Sequence, residues 1–215
     1  METAQQVAQR LLQINAIKLS LAQPFTWASG WQSPIYCDNR RALAYPAVRS
    51  QLCSAFAALI RAKYSDAEVI AGVATGAIAH GALVADRLGL PFVYVRAKAK
   101  EHGLQNRIEG ELAPGRRVVV VEDLISTGGS SLSAVAALRE AGAEVLGMVA
   151  IFSYGFAAAQ KSFEQAGCAL TTLSGYAALI EQAVALGYVQ PSDVAPLQRW
   201  RAATEQHFNE QLAKS

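Results

Sequence analysis

The chain has 215 residues, 52% hydrophobic and 17% charged, with a formal net charge of +2. That balance leaves room for a large core and excludes a disordered chain. It carries too little charge to argue for nucleic acid or a membrane surface as a partner, and the length favours one domain with at most a small appendage. Cys37, Cys53 and Cys168 are odd in number and far apart. They form neither a disulfide framework nor a zinc pattern, which favours a reducing cytoplasm. The opening Met1-Glu2-Thr3-Ala4-Gln5 lacks the basic and apolar regions of a signal peptide. The most apolar stretch, Val69 to Ala85, is rich in Gly and Ala and carries His80. It reads as strand, turn and helix of a core rather than as a membrane span.

In chain order, Ala4 to Asn15 predicts an amphipathic helix, with Val7, Leu11, Leu12 and Ile14 on or near one side. Packing, or a cover over a site, is its plain use. Ile17 to Ser20 starts a short strand. From Phe25 to Arg41 aromatics alternate around Ser29-Gly30, which predicts a β-hairpin, a pattern that edge-strand packing alone also produces. Pro46 opens a helix that carries Val48, Leu52, Phe56, Leu59 and Ile60 at helical spacing. Strand Glu68 to Gly72 follows, then the turn Val73 to Ala77 and helix Ile78 to Leu88, ended by Gly89 and Pro91. A strand, a Gly-containing turn and a helix suit either an anion or simple close packing. Phe92 to Val95 is a strand. The polar segment Arg96 to Gly110 then holds Arg96, Lys98, Lys100, His102 and Arg107. A connection this long is either a solvated surface loop or a mobile functional one.

The central stretch runs Val118-Val119-Val120-Val121-Glu122-Asp123-Leu124-Ile125-Ser126-Thr127-Gly128-Gly129-Ser130. Four valines predict a strand buried on both faces. Two carboxylates follow at its carboxyl end. A small-residue turn then opens the helical pattern Leu132, Val135, Leu138. Unpaired N–H groups at a helix start, on a backbone that small residues let wrap closely, hold a phosphate. The carboxylates would repel that phosphate, and suit the hydroxyls of a ribose instead. No Gly-Lys-Ser/Thr follows, so this is not a Walker A loop. Beyond it lie strand Val145 to Phe152, helices Phe156 to Gln165 and Tyr176 to Leu186 around strand Cys168 to Thr172, and a closing helix from Leu197 to Leu212. Ser153-Tyr154-Gly155-Phe156 sits at a strand's carboxyl end, where open α/β sheets bind ligands. His80 and His207 stand outside any cluster and read as structural. Strands alternating with helices predict an α/β fold with a central, mostly parallel sheet flanked by helices.

Residues 118–130 resemble the phosphoribosyl-pyrophosphate (PRPP) signature of type I phosphoribosyltransferases. The resemblance implies that Glu122 and Asp123 hold the ribose 2′- and 3′-hydroxyls. It implies that Leu124, Ile125, Ser126, Thr127, Gly128, Gly129 and Ser130 complete PRPP binding, with the turn on the 5′-phosphate. Ser29-Gly30 followed by Ser33-Pro34-Ile35-Tyr36 is similar to the hood of the orotate branch, and the spacing of Arg96, Lys100 and His102 matches that branch's loop. From this, Arg96, Lys100 and His102 are further PRPP ligands, Ser126 and Tyr36 touch orotate, and Lys100, His102 and Asp123 are the catalytic residues. Where many members carry a hood lysine this chain has Ala28, leaving Lys18, Arg40 and Arg41 as candidate cations. Gly76 stands where some members have Lys, so the 73–77 turn would touch pyrophosphate through its backbone. Ala97 replaces a second loop lysine, so Lys98 is not assigned as a ligand. Ser153 to Phe156 lacks the arginine that some members set against the base.

The resemblance further implies one domain over 1–215, with helix and hood at about 1–45, core at about 46–175 and C-terminal helices at about 176–215. It implies a homodimer whose 96–110 loop completes the neighbouring site, and Mg²⁺ held mainly by PRPP and water, with no protein metal ligands. The expected activity is phosphoribosyl transfer from PRPP to orotate in pyrimidine biosynthesis. Transfer to another base, or a non-catalytic PRPP-sensing regulator, is the alternative.

Overall fold

The computed structural model describes residues 3–27, 30–97 and 107–212, the last four without their side chains. Of the residues singled out by pattern or resemblance, Ala28, Ser29, Lys98, Lys100 and His102 lie outside the described residues.

A six-stranded sheet carries the fold. Its strands are β5 (Val69–Val73), β6 (Phe92–Val95), β7 (Ile108–Glu109), β8 (Arg117–Ile125), β9 (Glu144–Ser153) and β10 (Leu170–Gly175), in the order β10-β9-β8-β5-β6-β7. All neighbours are parallel except β7, which runs against β6. The valines of β8 explain its central place. Val118 and Val120 pack with α4 (Gly129–Glu140) and α5 (Ala157–Gln165) on one face. Val119 and Val121 pack on the other with α1 (Ala4–Gln13), α2 (Pro46–Lys63), α3 (Ile78–Leu88) and α6 (Tyr176–Ala185). All four are fully buried, each contributing about 2 kcal/mol of apolar burial. A strand covered on both sides has no polar face to alternate with.

The hood is two small pairings rather than one hairpin. β2 (Phe25–Thr26) pairs with β3 (Gln32–Ser33), while β4 (Ile35–Cys37) leaves β3 and pairs antiparallel with β1 (Ile17–Leu19). Ser33 makes the break: its hydroxyl donates to the Ile35 carbonyl at 2.7 Å and accepts from the Ile35 N–H at 3.0 Å. A 3-10 segment, Asn39–Ala44, leads into α2. The last helix, α7 (Val194–Leu212), starts three residues earlier than its apolar pattern predicts, because a proline is well tolerated in a first turn.

Two boundaries change how the site is built. β8 continues through Ile125, so the acidic pair lies within the strand rather than after it. Pairing with β9 extends it: Glu122 lies opposite Ala150 and Leu124 opposite Phe152. The 96–110 connection is not polar loop throughout, since Ile108–Glu109 adds β7 to the sheet edge.

Candidate active site

Because the acidic pair lies in a strand, alternation sends its two carboxylates to different surroundings. Glu122 is 4% exposed. Its Oε2 accepts from Ser131 Oγ at 2.8 Å and its Oε1 from the Asp123 N–H at 2.9 Å. Burial, and then the charge of Asp123, pushes its carboxyl well above the usual carboxylate range. Asp123 is half-buried and rests against the 73–77 turn. A Cβ at Gly76 would come within 2.4 Å of its Cγ. A lysine at that position has no space in this arrangement. Glu122 thus ties β8 to α4, and Asp123 is the carboxylate whose oxygens stand beside the turn.

The small-residue turn follows directly. Gly128 has φ +84°, and a Cβ there would sit 2.8 Å from the Phe163 ring. α4 begins at Gly129 with no side-chain cap. The first N–H groups of that helix have no partner within it and lie at the positive end of its dipole. Ser126 and Thr127 are half-buried, and Gly129 and Ser130 are exposed. The Ile125 side chain is fully buried, so this residue can offer a ligand only its backbone.

The end of β8 and the first turn of α4 border a cleft of about 430 Å³, lined by Cys37, Asp38 and Arg40, residues 73–76, residues 122–124 and Ser130. A larger groove of about 870 Å³ lies between α5 and α6, but none of residues 122–130 lines it. Charge and an uncapped helix start mark the smaller cleft as the site. Its other wall comes from the hood. Asn39 is 1% exposed, and its Nδ2 donates to the Asp123 carbonyl at 2.6 Å. Cys37 Sγ donates to Asn39 Oδ1 at 3.4 Å, and burial pushes that thiol well up. His80, 3% exposed on α3, lies close to the Asn39 backbone and feels the charge of Asp123, and its buried Nε2 has no hydrogen-bond partner among the described residues. It supports the cleft from behind, as a structural histidine does. Sequence reasoning missed Asn39; one asparagine in a polar run carries no spacing signal.

Other predicted residues are dispersed. Arg96 follows β6, with Nη1 3.4 Å from Glu109 Oε1, and does not line the cleft. Tyr36 is 39% exposed, its ring 5.7 Å from that of Phe25. Arg41 is turned away, donating from Nε to the Ile14 carbonyl at 3.2 Å. Ser153 to Phe156 has no arginine of its own, yet Arg201 of α7 reaches it. Its Nε donates to the Tyr154 carbonyl at 3.0 Å and its Nη2 to the Gly155 carbonyl. Among the described residues, no group of three or more His, Cys, Asp or Glu is clustered as a metal would require, and no helix is long and apolar enough to cross a membrane.

The comparisons with known proteins agree with this geometry. Residues 49–173 match the family model of the phosphoribosyl transferase domain. The orotate phosphoribosyltransferase of Porphyromonas gingivalis is 55% identical, over 93% of this chain and 95% of its own length. The crystal structure of orotate phosphoribosyltransferase from Aeropyrum pernix superposes with a TM-score of 0.73 at 29% identity, covering 86% of this chain and 99% of that one. The Mycobacterium tuberculosis orotate phosphoribosyltransferase in complex with PRPP gives a TM-score of 0.64 at 26% identity, covering 82% and 98%. With its central sheet matched by the family model and nearly its whole length by close relatives, the chain belongs to the phosphoribosyltransferases, in their orotate branch.

Proposed function

We infer that the protein transfers the 5-phosphoribosyl group from PRPP to orotate, giving orotidine 5′-monophosphate and pyrophosphate, a step of pyrimidine biosynthesis. The observation that carries this reading is the adjacency of Asp123 to the uncapped start of α4 in one cleft. A carboxylate for sugar hydroxyls and free backbone donors for a phosphate are what a ribose 5-phosphate needs. The relatives' names supply the base.

In this reading the C1–O bond of PRPP breaks, its electrons leave with pyrophosphate, N1 of orotate bonds to C1, and the proton that N1 carried is released to the departing pyrophosphate. Positive charge develops on the ribose ring. Asp123 holds a ring hydroxyl and faces that charge. The N–H groups of Thr127, Gly128, Gly129 and Ser130 grip the 5′-phosphate and fix the sugar. Glu122 acts through its bonds to Ser131 and to the Asp123 N–H, keeping carboxylate and cradle in register, and turns to a hydroxyl only if it releases them. Ser126 and Tyr36 meet the base. The cleft offers hard oxygen donors, Asp123 and Asp38 among them, which suit Mg²⁺ carried in on the substrate's phosphates. When bound, that ion offsets charge on the departing pyrophosphate.

The described lining holds three carboxylates, Asp38, Glu122 and Asp123, and one cation, Arg40. Arg96, Lys100 and His102 would add positive charge over the pyrophosphate, delivered by the 96–110 segment of the neighbouring subunit in a homodimer. A cytoplasmic location fits this chemistry. The test is pyrophosphate release with PRPP, Mg²⁺ and a panel of bases. Orotate is expected to be the one efficient acceptor, and no release with orotate overturns the reading.

A further inference from the structure

We propose that Arg40 is a substrate-binding residue of this cleft, a guanidinium that takes an oxyanion of the reacting pair beside C1 of the sugar. The inference rests on the proposed phosphoribosyl transfer. PRPP and orotate are both anions, and among the described lining residues the cleft meets them with the carboxylates of Asp38 and Asp123 against Arg40 as the one cation. Without a cation, those carboxylates would repel the substrates they must admit.

Position singles out Arg40 among the nearby cations. It opens the 3-10 segment that follows β4. Its neighbours fix the backbone there: the Asp38 N–H donates to the Ala16 carbonyl at 2.8 Å, and the Asn39 side chain holds the Asp123 carbonyl. Arg40 is therefore tied by one residue to the strand that carries the ribose-facing carboxylate. Its side chain is 57% exposed, with Nε 2.6 Å from Asp38 Oδ1. That pair orients the head group, and a guanidinium so held has further N–H donors on its two Nη atoms. Asp123 and Tyr36 are both near enough to act on its charge. Arg41 is committed to Ile14, Arg96 to Glu109, and Lys18 lies on β1 outside the lining.

In the proposed transfer two oxyanions meet at C1. One is the orotate carboxylate, on the ring carbon next to the attacking N1. The other is the departing pyrophosphate. Both present the paired oxygens that a guanidinium binds best.

The experiment uses the full-length protein with Arg40→Gln and Arg40→Lys. Calorimetry gives the Kd for PRPP without base, steady-state kinetics give KM for orotate and kcat, and melting curves check the fold. Arg40→Gln is expected to weaken one of the two affinities about 10- to 100-fold at an unchanged melting temperature, with Arg40→Lys recovering part of it. A raised PRPP Kd identifies the pyrophosphate as the partner; a raised orotate KM with PRPP Kd unchanged identifies the carboxylate. Both affinities unchanged, or losses that only follow a lowered melting temperature in both variants, overturn the inference. Inactivity of the unsubstituted protein with PRPP and orotate would overturn the underlying reading, and the inference with it. A failure confined to the variants overturns the inference alone.

Discussion

The cleft has two walls made in opposite ways. One is local: residues 122–124 and Ser130, which line it, belong to one stretch that leaves a strand, turns, and starts a helix. The other is assembled from distant parts. Trp31 of the hood stacks on His207 of α7, with ring centroids 4.2 Å apart, and its Nε1 donates to Thr204 Oγ1 at 3.0 Å. Trp200 Nε1 donates to the Gln32 carbonyl at 3.0 Å. Trp27 packs among Tyr154, Trp200 and Phe208. Arg201 joins the same helix to the segment after β9. The lesson is a division of labour. The strand-turn-helix wall is built from contiguous backbone, while the hood is held by side chains far away in the chain, and α7 serves as its clamp.

If that division is right, changes to the local wall should act on PRPP and on turnover, and changes to the clamp should act on the base. The largest effect is expected at Asp123. Asp123→Asn keeps the shape but removes the charge that faces the developing ribose cation, and kcat/KM should fall on the order of 10²–10³. Lys100→Ala should cut kcat comparably with little change in PRPP affinity. Mixing the two inactive proteins provides a further test. Hybrids should regain activity if one subunit's loop serves the other's cleft, and no recovery would rule out loop exchange.

Gly76→Ala comes next. The added methyl group would displace the Asp123 carboxylate, so PRPP affinity measured calorimetrically should drop about tenfold. An unchanged affinity would mean that Asp123 moves freely and that the turn does not position it. Trp31→Ala should be milder and fall on the other substrate. It removes an aromatic stack and a hydrogen bond from the clamp, which together support the hood by roughly 1–3 kcal/mol. The KM for orotate should rise about 3- to 30-fold, with the Kd for PRPP unchanged. A rise in PRPP Kd instead would show that the walls are not separable.

The same contrast explains which parts of the molecule are legible in the amino-acid sequence. The local wall is legible because each of its parts, the valine run, the acidic pair and the small-residue turn, has its physical reason within a few residues. Even so, the valine run predicts too short a strand, because pairing with β9 carries β8 through Ile125. That extension is what separates the surroundings of Glu122 from those of Asp123. The sheet is legible from alternating strands and helices, apart from β7, whose two residues are too few to show a period. The clamp is not legible. Trp27, Trp31, Trp200 and Phe208 meet only through tertiary folding, and a guanidinium supplied by Arg201 to residues 154 and 155 leaves no trace in local pattern. Asn39 escapes for the same reason: its partner is 84 residues distant.

The smallest expected effects concern pH, and they separate the walls by sign. Glu122 is buried and its carboxyl is pushed well above the ordinary 4.5. Its protonated form therefore supports the fold fully below pH 4.5, and that support is lost as pH rises through the folded-state value. Glu122→Gln keeps an acceptor for the Asp123 N–H and gives Ser131 a donor in place of an acceptor. It should raise Tm at pH 7–8 by about 2–4 °C. His80 works the other way. Burial lowers its pKa from the ordinary 6.5, so the neutral ring favours the folded state above pH 6.5, and that advantage is lost as pH falls through the folded-state value. His80→Gln should flatten the acid side of the Tm profile. Trp200→Phe, which removes the Nε1 bond to the Gln32 carbonyl and touches neither group, should shift the whole profile without changing its slope. Melting curves of the three variants from about pH 4.5 to 8 check all of this together. A Trp200 variant whose slope changed would show that the clamp and the carboxylate wall titrate as one unit, and the division between them would have to be given up.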